Sequence, residues 1–527
     1  MYDLLIKNGF IIDGTGSPGF HADVAVKDGK IVKIARRIQG EAAQVIDAAG
    51  LTVTPGFIDA HSHDDILLEK YPDCRYKLEQ GVTTDVVGMC GSSCAPISDQ
   101  YAEDGLKSNQ DLMNGAAPDT KEHYGWFSEY MDYMGQKSFG ANIAGYIGHN
   151  AIRIAVMGYE DRAPSEKEMA QMKAYVEDAM KAGALGISLG THYSPGSYSD
   201  VNEAIELCKV VVEYGGSMTV HMRNEDHLLL EGVKEVLEIV HATHIPTVIS
   251  HHKASGKPEL CWGLPKQSLK MIEEANAEGY DIFMDQYPYT ASATVMNSWL
   301  PKELHAIGQN QLIHDFGIPE RRKEYRDIVL KGETPEEYFF GVMISISDTR
   351  PEYNGVMLLD AAAKEGIDPC YFLFDLLRDD KMATGCINWR ICEEDVKLIM
   401  QNPRVMVGTD GLMYPGCPNC HPRSVASFPR VLGHYVREEK TLSLVDAVRK
   451  ITGLPSMVYG LEGKGILRTG MDADITIFNA DTIIDKADFK NCFLRCEGLH
   501  YVIVAGYVVV KDAEYLGGLY GKMLRRV

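Results

Sequence analysis

The stretch TPGFIDAHSHDD, residues 54–65, joins an apolar strand to a pair of histidines, and it decides the fold. The run LTVTPGF reads as a buried strand that ends in a turn. His61 and His63 are two residues apart, so on an extended backbone both imidazoles project from the same face. This geometry suits a metal ion or a substrate at the end of the strand, although a lone His-x-His pair is more often a surface feature.

Apolar stretches alternate with amphipathic helical stretches through the middle of the chain, a pattern typical of a parallel sheet covered by helices. Eight strands are predicted, the number in a closed (β/α)8 TIM-like barrel of the α/β class. The alternative, an open doubly wound sheet, lacks a Gly-x-Gly-x-x-Gly turn after its first strand. The predicted strands are TPGFIDAHSH, GVTTDVVGMC, ANIAGYIGHN, GALGISLGTHY, GSMTVHMR, PTVISHHK, YDIFMDQYPY and RVMVGTDG.

Both ends of the chain differ from its middle, because they are predicted to consist of short strands broken by Gly-rich turns. We predict that residues 1–55 and 464–527 together form one composite β-sandwich domain, and that residues 56–463 form the catalytic barrel. The gap between the last two barrel strands is too long for one crossover. A polar, helix-rich subdomain is therefore predicted at about 291–345, where it would shape or cover the mouth of the barrel.

Composition limits the classes of partner. A chain of 527 residues can enclose a large core, and its net charge of −22 argues against nucleic acid or an anionic membrane surface. No stretch approaches the roughly 18 uninterrupted apolar residues of a membrane span. The N-terminus lacks the pattern of a signal peptide, so the twelve cysteines are expected to be reduced thiols in a cytoplasmic protein. The oligomeric state stays open, a homo-oligomer included.

Polar residues follow the predicted strands at the face where barrel enzymes place their active sites. Cys90, His221 and His251 form a thiolate and imidazole set that suits one tightly bound Zn²⁺ with an open position for water. His61 and His63 would hold a second, weaker metal. His251 is preferred over His252 because side chains alternate along the strand VISH. His149 and Asp410 also lie at these strand ends, and so do the predicted substrate-binding residues Tyr193, Arg223, Lys253, Tyr287 and Tyr289.

Asp410 follows VMVGT at the end of the eighth strand and is the predicted catalytic residue. Zinc lowers the pKa of its water to about 7 and polarises a carbonyl oxygen. Asp410 would take the proton from the attacking water and pass it to the leaving nitrogen. The strand ends therefore predict a metal-dependent hydrolysis.

These residues resemble the amidohydrolase superfamily and, within it, the D-aminoacylase (N-acyl-D-amino-acid deacylase) family. The resemblance covers nearly the whole chain, from IIDGTG and TPGFIDAHSHDD through GVTT, the cysteine turn, HMR, ISHHK, YPYTAS, GTDG and HPRS to TGMDADITIF. It implies a composite β-domain with a barrel, zinc held by a cysteine and two histidines, and Asp410 as the catalytic aspartate. It also implies that Lys253, Arg423 and a tyrosine, Tyr287 or Tyr289, bind the free carboxylate of a small-molecule substrate.

Three departures from the family pattern leave the substrate open. Met89 stands where relatives commonly carry asparagine, and His192 enters a segment that is more apolar in relatives. CPNC precedes HPR, where Cys417 and Cys420 read as loop thiols or as half of a metal site completed by Cys386 and Cys392.

Hydrolysis of an N-acyl-D-amino acid is the favoured hypothesis. The alternatives are a D-aminopeptidase, dipeptidase or cyclic-amide hydrolase, a deaminase that uses Glu225 as proton shuttle, and a non-catalytic scaffold. Preference for D over L substrates rests on the resemblance alone.

Overall fold

The computed structural model describes residues 1–112, 123–412 and 420–526. Eight parallel strands, here numbered as barrel strands one to eight, stand at its centre. Their residues are almost all buried, polar ones included, because both faces of a parallel sheet are covered. The strands are Phe57–Asp59, Val82–Val87, Asn142–Gly145 with Ile147–Gly148, Gly186–Gly190, Ser217–His221, Thr247–Ile249, Ile282–Gln286 and Val405–Val407.

Hydrogen bonds join barrel strand eight back to barrel strand one and close the ring. The amide of Ala60 donates to the carbonyl of Val407 at 3.2 Å, and the amide of Asp410 donates to the carbonyl of His61 at 2.8 Å. Barrel strands three to eight are paired in sequence order, and so are strands one to three. The predicted barrel is therefore present with every strand in its predicted place.

Helices surround the barrel and cover its strands with their apolar faces. No helix in the described part of the chain is long and apolar enough to cross a membrane. The helices of this layer are Arg75–Leu78, Ala102–Leu112, Phe127–Met134, His149–Met157, Glu166–Lys181, Val201–Glu213, Leu229–Thr243, Pro258–Cys261, Pro265–Ala277, Glu393–Gln401, Arg423–Arg430, the π-helical Val431–Glu438, Leu444–Ile451 and Gly453–Tyr459.

Both ends of the chain contribute to one nine-stranded sheet outside the barrel. The pairing of Thr52–Pro55 with Ile475–Phe478 joins the N-terminal strands to the C-terminal ones. Branched side chains from both ends, such as Val24, Val53 and Ile475, pack in one buried cluster. The strands are Tyr2–Ile11, Phe20–Lys27, Lys30–Ala35, Ala42–Asp47, Thr52–Pro55, Ile475–Phe478, Leu499–Val504, Tyr507–Lys511 and Glu514–Tyr515.

A second unit with its own buried cluster lies between barrel strands seven and eight. Its antiparallel sheet contains Ser292–Val295, Val342–Ile346, Val356–Met357 and Gly385–Asn388. Its helices are Lys302–His305, Gln309–Asp315, Pro319–Leu330, Pro335–Tyr338, Leu358–Glu365 and Pro369–Asp379. The predicted range of 291–345 covers only part of this sheet, so we propose that the inserted unit extends to Asn388.

One pair of cysteines departs from the expectation of free thiols. Cys420 forms a disulfide with Cys492, 72 residues further along the chain, and so does not belong to a metal site with Cys386 and Cys392. The expectation is wrong for this pair because the segment after barrel strand eight returns beside the C-terminal part of the chain. Cys417 lies outside the described residues.

Candidate active site

Three residues of the candidate site have left-handed backbone conformations. The φ angles are +54° at Cys90, +34° at His251 and +46° at Asp410. Such conformations cost about 1–3 kcal/mol each for residues with a Cβ atom, and they cluster at functional sites. Each of the three follows a barrel strand at its carboxyl end, so the strained turns direct their side chains toward one point above the barrel.

Cys90 lies at the centre of the cluster. Its Sγ atom is 3.3 Å from Nε2 of His61 and 3.3 Å from Nε2 of His251. Burial raises the pKa of the Cys90 thiol, but the imidazoles of His61 and His251 lower it more, so the pKa lies well below its ordinary value. Cys90 is therefore poised as a thiolate, the form that binds metal.

Two groups of residues bring their possible metal-donor atoms together. Within each group, these atoms all lie within 4.8 Å of one another. Cys90, His221 and His251 form one group, and Nδ1 of His221 is buried without a hydrogen-bond partner among the described residues. This orphaned nitrogen, one further imidazole and a thiolate fit zinc well, and they fit the all-oxygen preference of magnesium or calcium poorly. The second group shares Cys90 and adds His61, His63 and Asp410.

Asp410 contacts both histidines of the opening motif. Its Oδ1 is 3.2 Å from Nε2 of His63 and 3.5 Å from Nε2 of His61, while Oδ2 accepts a 2.6 Å hydrogen bond from Nη1 of Arg423. Burial raises the pKa of Asp410, but Arg423 and His251 lower it more, and the net pKa lies well below its ordinary value. The carboxylate is therefore ionised in this arrangement.

Two acidic residues hold the histidines in place: Asp285, which was not predicted, and Glu225, which was named only as the proton shuttle of the deaminase alternative. Asp285 at barrel strand seven lies 3.2 Å from Nδ1 of His61 and accepts a hydrogen bond from the amide of His251. Glu225 lies 3.0 Å from Nδ1 of His251 and 3.4 Å from Nε2 of His221. Carboxylates placed behind imidazoles in this way fix their orientation.

The residues expected to bind a carboxylate gather around Tyr287. The Arg423 guanidinium lies 4.7 Å and the Lys253 ammonium 5.9 Å from the centre of its ring. The Tyr287 hydroxyl is buried without a hydrogen-bond partner among the described residues. Lys253 donates to Glu225 at 2.5 Å in this arrangement. Two cations and an unpartnered hydroxyl thus lie close together beside the donor cluster.

Tyr193 lines the cavity, and its ring centre is 4.7 Å from that of His221. Two other predicted substrate-binding residues, Arg223 and Tyr289, are engaged with neighbouring side chains of the protein. Arg223 donates to Glu235 and to the carbonyls of Ser197 and Ser199, so its donors are used within the protein.

Tyr289 lies past the end of barrel strand seven, two residues after Tyr287. Its ring lies against the Arg430 guanidinium, His421 and Phe489. The chain bends between the two tyrosines, because the amide of Tyr289 donates to the carbonyl of Tyr287 at 3.0 Å.

The histidines outside the cluster have their own partners. His252 lies 2.8 Å from the Ser268 hydroxyl, on the side of the strand away from His251. His149, which follows barrel strand three, lies 2.6 Å from a buried Glu203 oxygen. Both therefore hold the protein framework together at a distance from the donor cluster.

A cavity of about 770 Å³ opens above the cluster. His63, Cys90, Asp410 and Arg423 line its floor, and residues 293–295 and 297–302 of the inserted unit form part of its wall. Its volume lies in the range of small-molecule sites.

A closed α/β barrel with a buried thiolate, imidazoles and a carboxylate at the carboxyl ends of its strands defines a metal-dependent barrel hydrolase. The chain belongs to the amidohydrolase family, whose model matches residues 44–510. Both the predicted family and the predicted fold class are thereby confirmed.

Three relatives illustrate the match. A D-aminoacylase from Alcaligenes xylosoxydans xylosoxydans is 34% identical over 525 residues, which cover 100% of this chain and 98% of that protein. The crystal structure of N-acyl-D-glutamate deacylase from Bordetella bronchiseptica, complexed with zinc and a phosphonate that mimics the tetrahedral intermediate, has a TM-score of 0.84, 33% identity and 99% coverage of both chains. A D-aminoacylase structure that addresses a binuclear metal centre, with one-metal activation and second-metal attenuation, has a TM-score of 0.83, 32% identity and 100% coverage of both chains.

Proposed function

We propose that the protein hydrolyses the amide bond of N-acyl-D-amino acids and releases a carboxylate and a free D-amino acid. The observation that carries this proposal is the position of Asp410, which lies beside the thiolate and imidazole cluster and on the floor of the cavity. The full-length likeness to D-aminoacylase supports the same reaction and the D configuration.

Zinc is the proposed metal, and Cys90, His221 and His251 are its proposed ligands. His61 and His63 are proposed to hold a second ion more weakly. A bound zinc ion supplies a Lewis acid that polarises a carbonyl group and makes water a stronger nucleophile near neutral pH. The zinc in the Bordetella structure supports this choice of metal.

Asp410 moves the proton in the proposed reaction. Oδ2 is paired with Arg423, and Oδ1, which lies beside His61 and His63, is the oxygen proposed to accept the proton of the attacking water. The protonated carboxyl group then donates that proton to the leaving amide nitrogen, which departs as an amine. His63, at 3.2 Å from Oδ1, holds this oxygen toward the cavity.

The free carboxylate of the substrate is proposed to bind beside Tyr287. The Tyr287 hydroxyl donates one hydrogen bond, and Lys253 and Arg423 supply positive charge on either side. A simple cyclic imide lacks the carboxylate that this group of residues would bind. A deaminase would need Glu225 as a proton shuttle, but Glu225 is held by Lys253 and His251.

The cytoplasm stays the proposed compartment because the other described cysteines are free thiols.

The test is release of free amine by zinc-loaded protein from paired N-acetyl-D- and N-acetyl-L-amino acids with acidic, apolar and polar side chains. We expect turnover of D substrates only, and loss of that turnover in an Asp410→Asn variant with unchanged zinc content. No turnover across the panel with zinc bound would contradict deacylation of simple N-acyl amino acids.

A further inference from the structure

Lys77 is a fully buried lysine beneath the active site. It lies on the short helix Arg75–Leu78 after barrel strand one, and its side chain is 2% exposed. Its ammonium nitrogen is within 3.4 Å of five side chains from three barrel-strand ends. These contacts are Asp59 Oδ2 at 2.5 Å, Ser62 Oγ at 3.0 Å, Thr409 Oγ1 at 3.1 Å, Asp64 Oδ2 at 3.4 Å and Asp85 Oδ1 at 3.4 Å.

Burying three carboxylates around one ammonium group costs free energy. We take this cost as a sign that the arrangement fixes a geometry that the protein needs. The Lys77 side chain is buried and is not among the residues that line the cavity. Its contacts connect instead to the backbone on both sides of the proposed catalytic aspartate.

The connection to Asp410 runs through Thr409 and Asp59. The Thr409 hydroxyl accepts a hydrogen bond from Lys77, donates to Asp59 Oδ2 at 2.7 Å and accepts one from the amide of Gly411 at 3.1 Å. Asp59 Oδ1 accepts from the amides of Thr409 and His61. The residues before and after Asp410 are therefore both fixed to the group that Lys77 organises.

We infer that Lys77 is a positioning residue for Asp410. It holds the left-handed turn at residues 409–411 against barrel strand one and thereby keeps the Asp410 carboxylate beside His63. This inference rests on the proposed role of Asp410 in proton transfer. The predicted metal ligands Cys90, His221 and His251 and the carboxylate-binding Lys253 lie outside the group of residues that Lys77 contacts.

The test compares zinc-loaded wild-type protein with Lys77→Met under the amine-release assay. We expect kcat to fall by about 10- to 100-fold, the usual cost of losing an orienting partner. KM and the content of the tightly bound zinc should stay near their wild-type values, because Cys90, His221, His251 and Lys253 lie outside the contacts of Lys77. The absorption spectrum of the cobalt(II)-substituted variant should likewise match that of the substituted wild type.

Lys464→Met is the matched control. Lys464 is 6% exposed and pairs with Asp474 at 2.6 Å and Asp472 at 2.9 Å beside the terminal sheet. Its replacement therefore leaves two acidic groups without their cation, away from the active site. We expect it to lower the unfolding midpoint and leave kcat unchanged. An equal fall of kcat in both variants would show a general loss of stability and overturn the inference.

Thr409→Ala keeps the test decisive if Lys77→Met does not fold, because it removes the link to Lys77 and leaves every charge paired. Its kcat should fall about tenfold with KM unchanged. Wild-type kcat in Thr409→Ala, or in folded Lys77→Met, would overturn the inference while Asp410→Asn stays inactive. Activity in Asp410→Asn would instead contradict the proposed function itself.

Discussion

At the scale of single residues, His192 gives the cavity wall a polar character. It lines the cavity, and its ring is nearly parallel to that of His221 with their centres 5.3 Å apart. Its Nδ1 atom lies 3.4 Å from the carbonyl of Arg223, which favours a proton on that nitrogen. The other ring nitrogen then accepts hydrogen bonds, so substrate groups that can donate one are favoured at this wall.

Replacing His192 with leucine should change selectivity. We expect the ratio of kcat/KM for apolar over polar substrates to rise about tenfold, because the wall loses a hydrogen-bonding group and gains an apolar one. The ratio is measured on the paired N-acetyl-D-amino acids. His241→Leu is the control, since His241 packs on Tyr280 outside the cavity. An unchanged ratio in His192→Leu would remove His192 from substrate recognition.

The residues of the donor cluster were predictable because they follow strands that have a local signature. His61, Cys90, His221, His251 and Asp410 each come directly after an apolar run, and parallel strands end at one face. The supporting carboxylates were harder to identify. Asp285 lies inside a strand, and Asp59 is the last residue of the strand that precedes His61 and His63. The role of Lys77 depends on a contact with Thr409, more than 300 residues away in the chain.

At the scale of elements, the segment of residues 191–200 carries His192 and Tyr193 into the cavity and is fixed from two sides. Arg223 binds the carbonyls of Ser197 and Ser199. Next to it, the helix Val201–Glu213 begins with an Asp200 cap that accepts from the Glu203 amide. The position of the cavity wall therefore depends on how this helix is held.

Glu203 joins this helix to the helix His149–Met157. Its carboxylate contacts buried His149 and is paired with the buried guanidinium of Arg153. Burial raises the pKa of Glu203, but His149 and Arg153 lower it more, so the pKa lies below its ordinary value of 4.5. A carboxylate with a lowered pKa stabilises the fold above its unfolded pKa, and this contribution is lost as the pH falls through the folded value.

Glu203→Gln should therefore lower the free energy of unfolding by about 3–5 kcal/mol at pH 7, because Arg153 loses its buried partner. Below pH 4.5 the difference from wild type should shrink as the wild-type carboxylate becomes protonated. Urea unfolding at pH 7, 5 and 4 measures both effects. Glu206→Gln is the control, since Glu206 pairs with Lys173 and Lys209 in solvent and should cost less than about 1 kcal/mol. A difference that does not vary with pH would contradict the role of the Glu203 charge.

At the scale of the whole molecule, local patterns predicted the eight barrel strands, but contacts between distant segments remained hidden. Apolar runs and Gly-rich turns are readable over a few residues. The disulfide between Cys420 and Cys492 joins distant segments, and so does the pairing of Ile143 with Met523. No spacing rule gives such contacts, because they depend on the complete path of the chain.

The C-terminal segment closes the end of the barrel opposite the active site. Leu524 donates to the carbonyl of Ile143 in barrel strand three, and the amide of Arg526 donates to the carbonyl of Gly183 just before barrel strand four. The Arg525 guanidinium donates to the carbonyls of Ala182 and Met131 and to Asp132. In barrels, residues at this face serve stability and residues at the opposite face serve catalysis.

Arg525→Ala should therefore separate the two properties. We expect the free energy of unfolding to fall by about 1–3 kcal/mol, because the helix-end carbonyls of Met131 and Ala182 lose a charged donor. At 25 °C, kcat and KM should be unchanged, since no active-site residue contacts this segment within the described chain. Lys137→Ala, on the same face but in contact with only the Tyr133 ring among the contacts described, should change neither quantity much. A fall of kcat in folded Arg525→Ala would show that the closed end of the barrel also controls the geometry of the catalytic end.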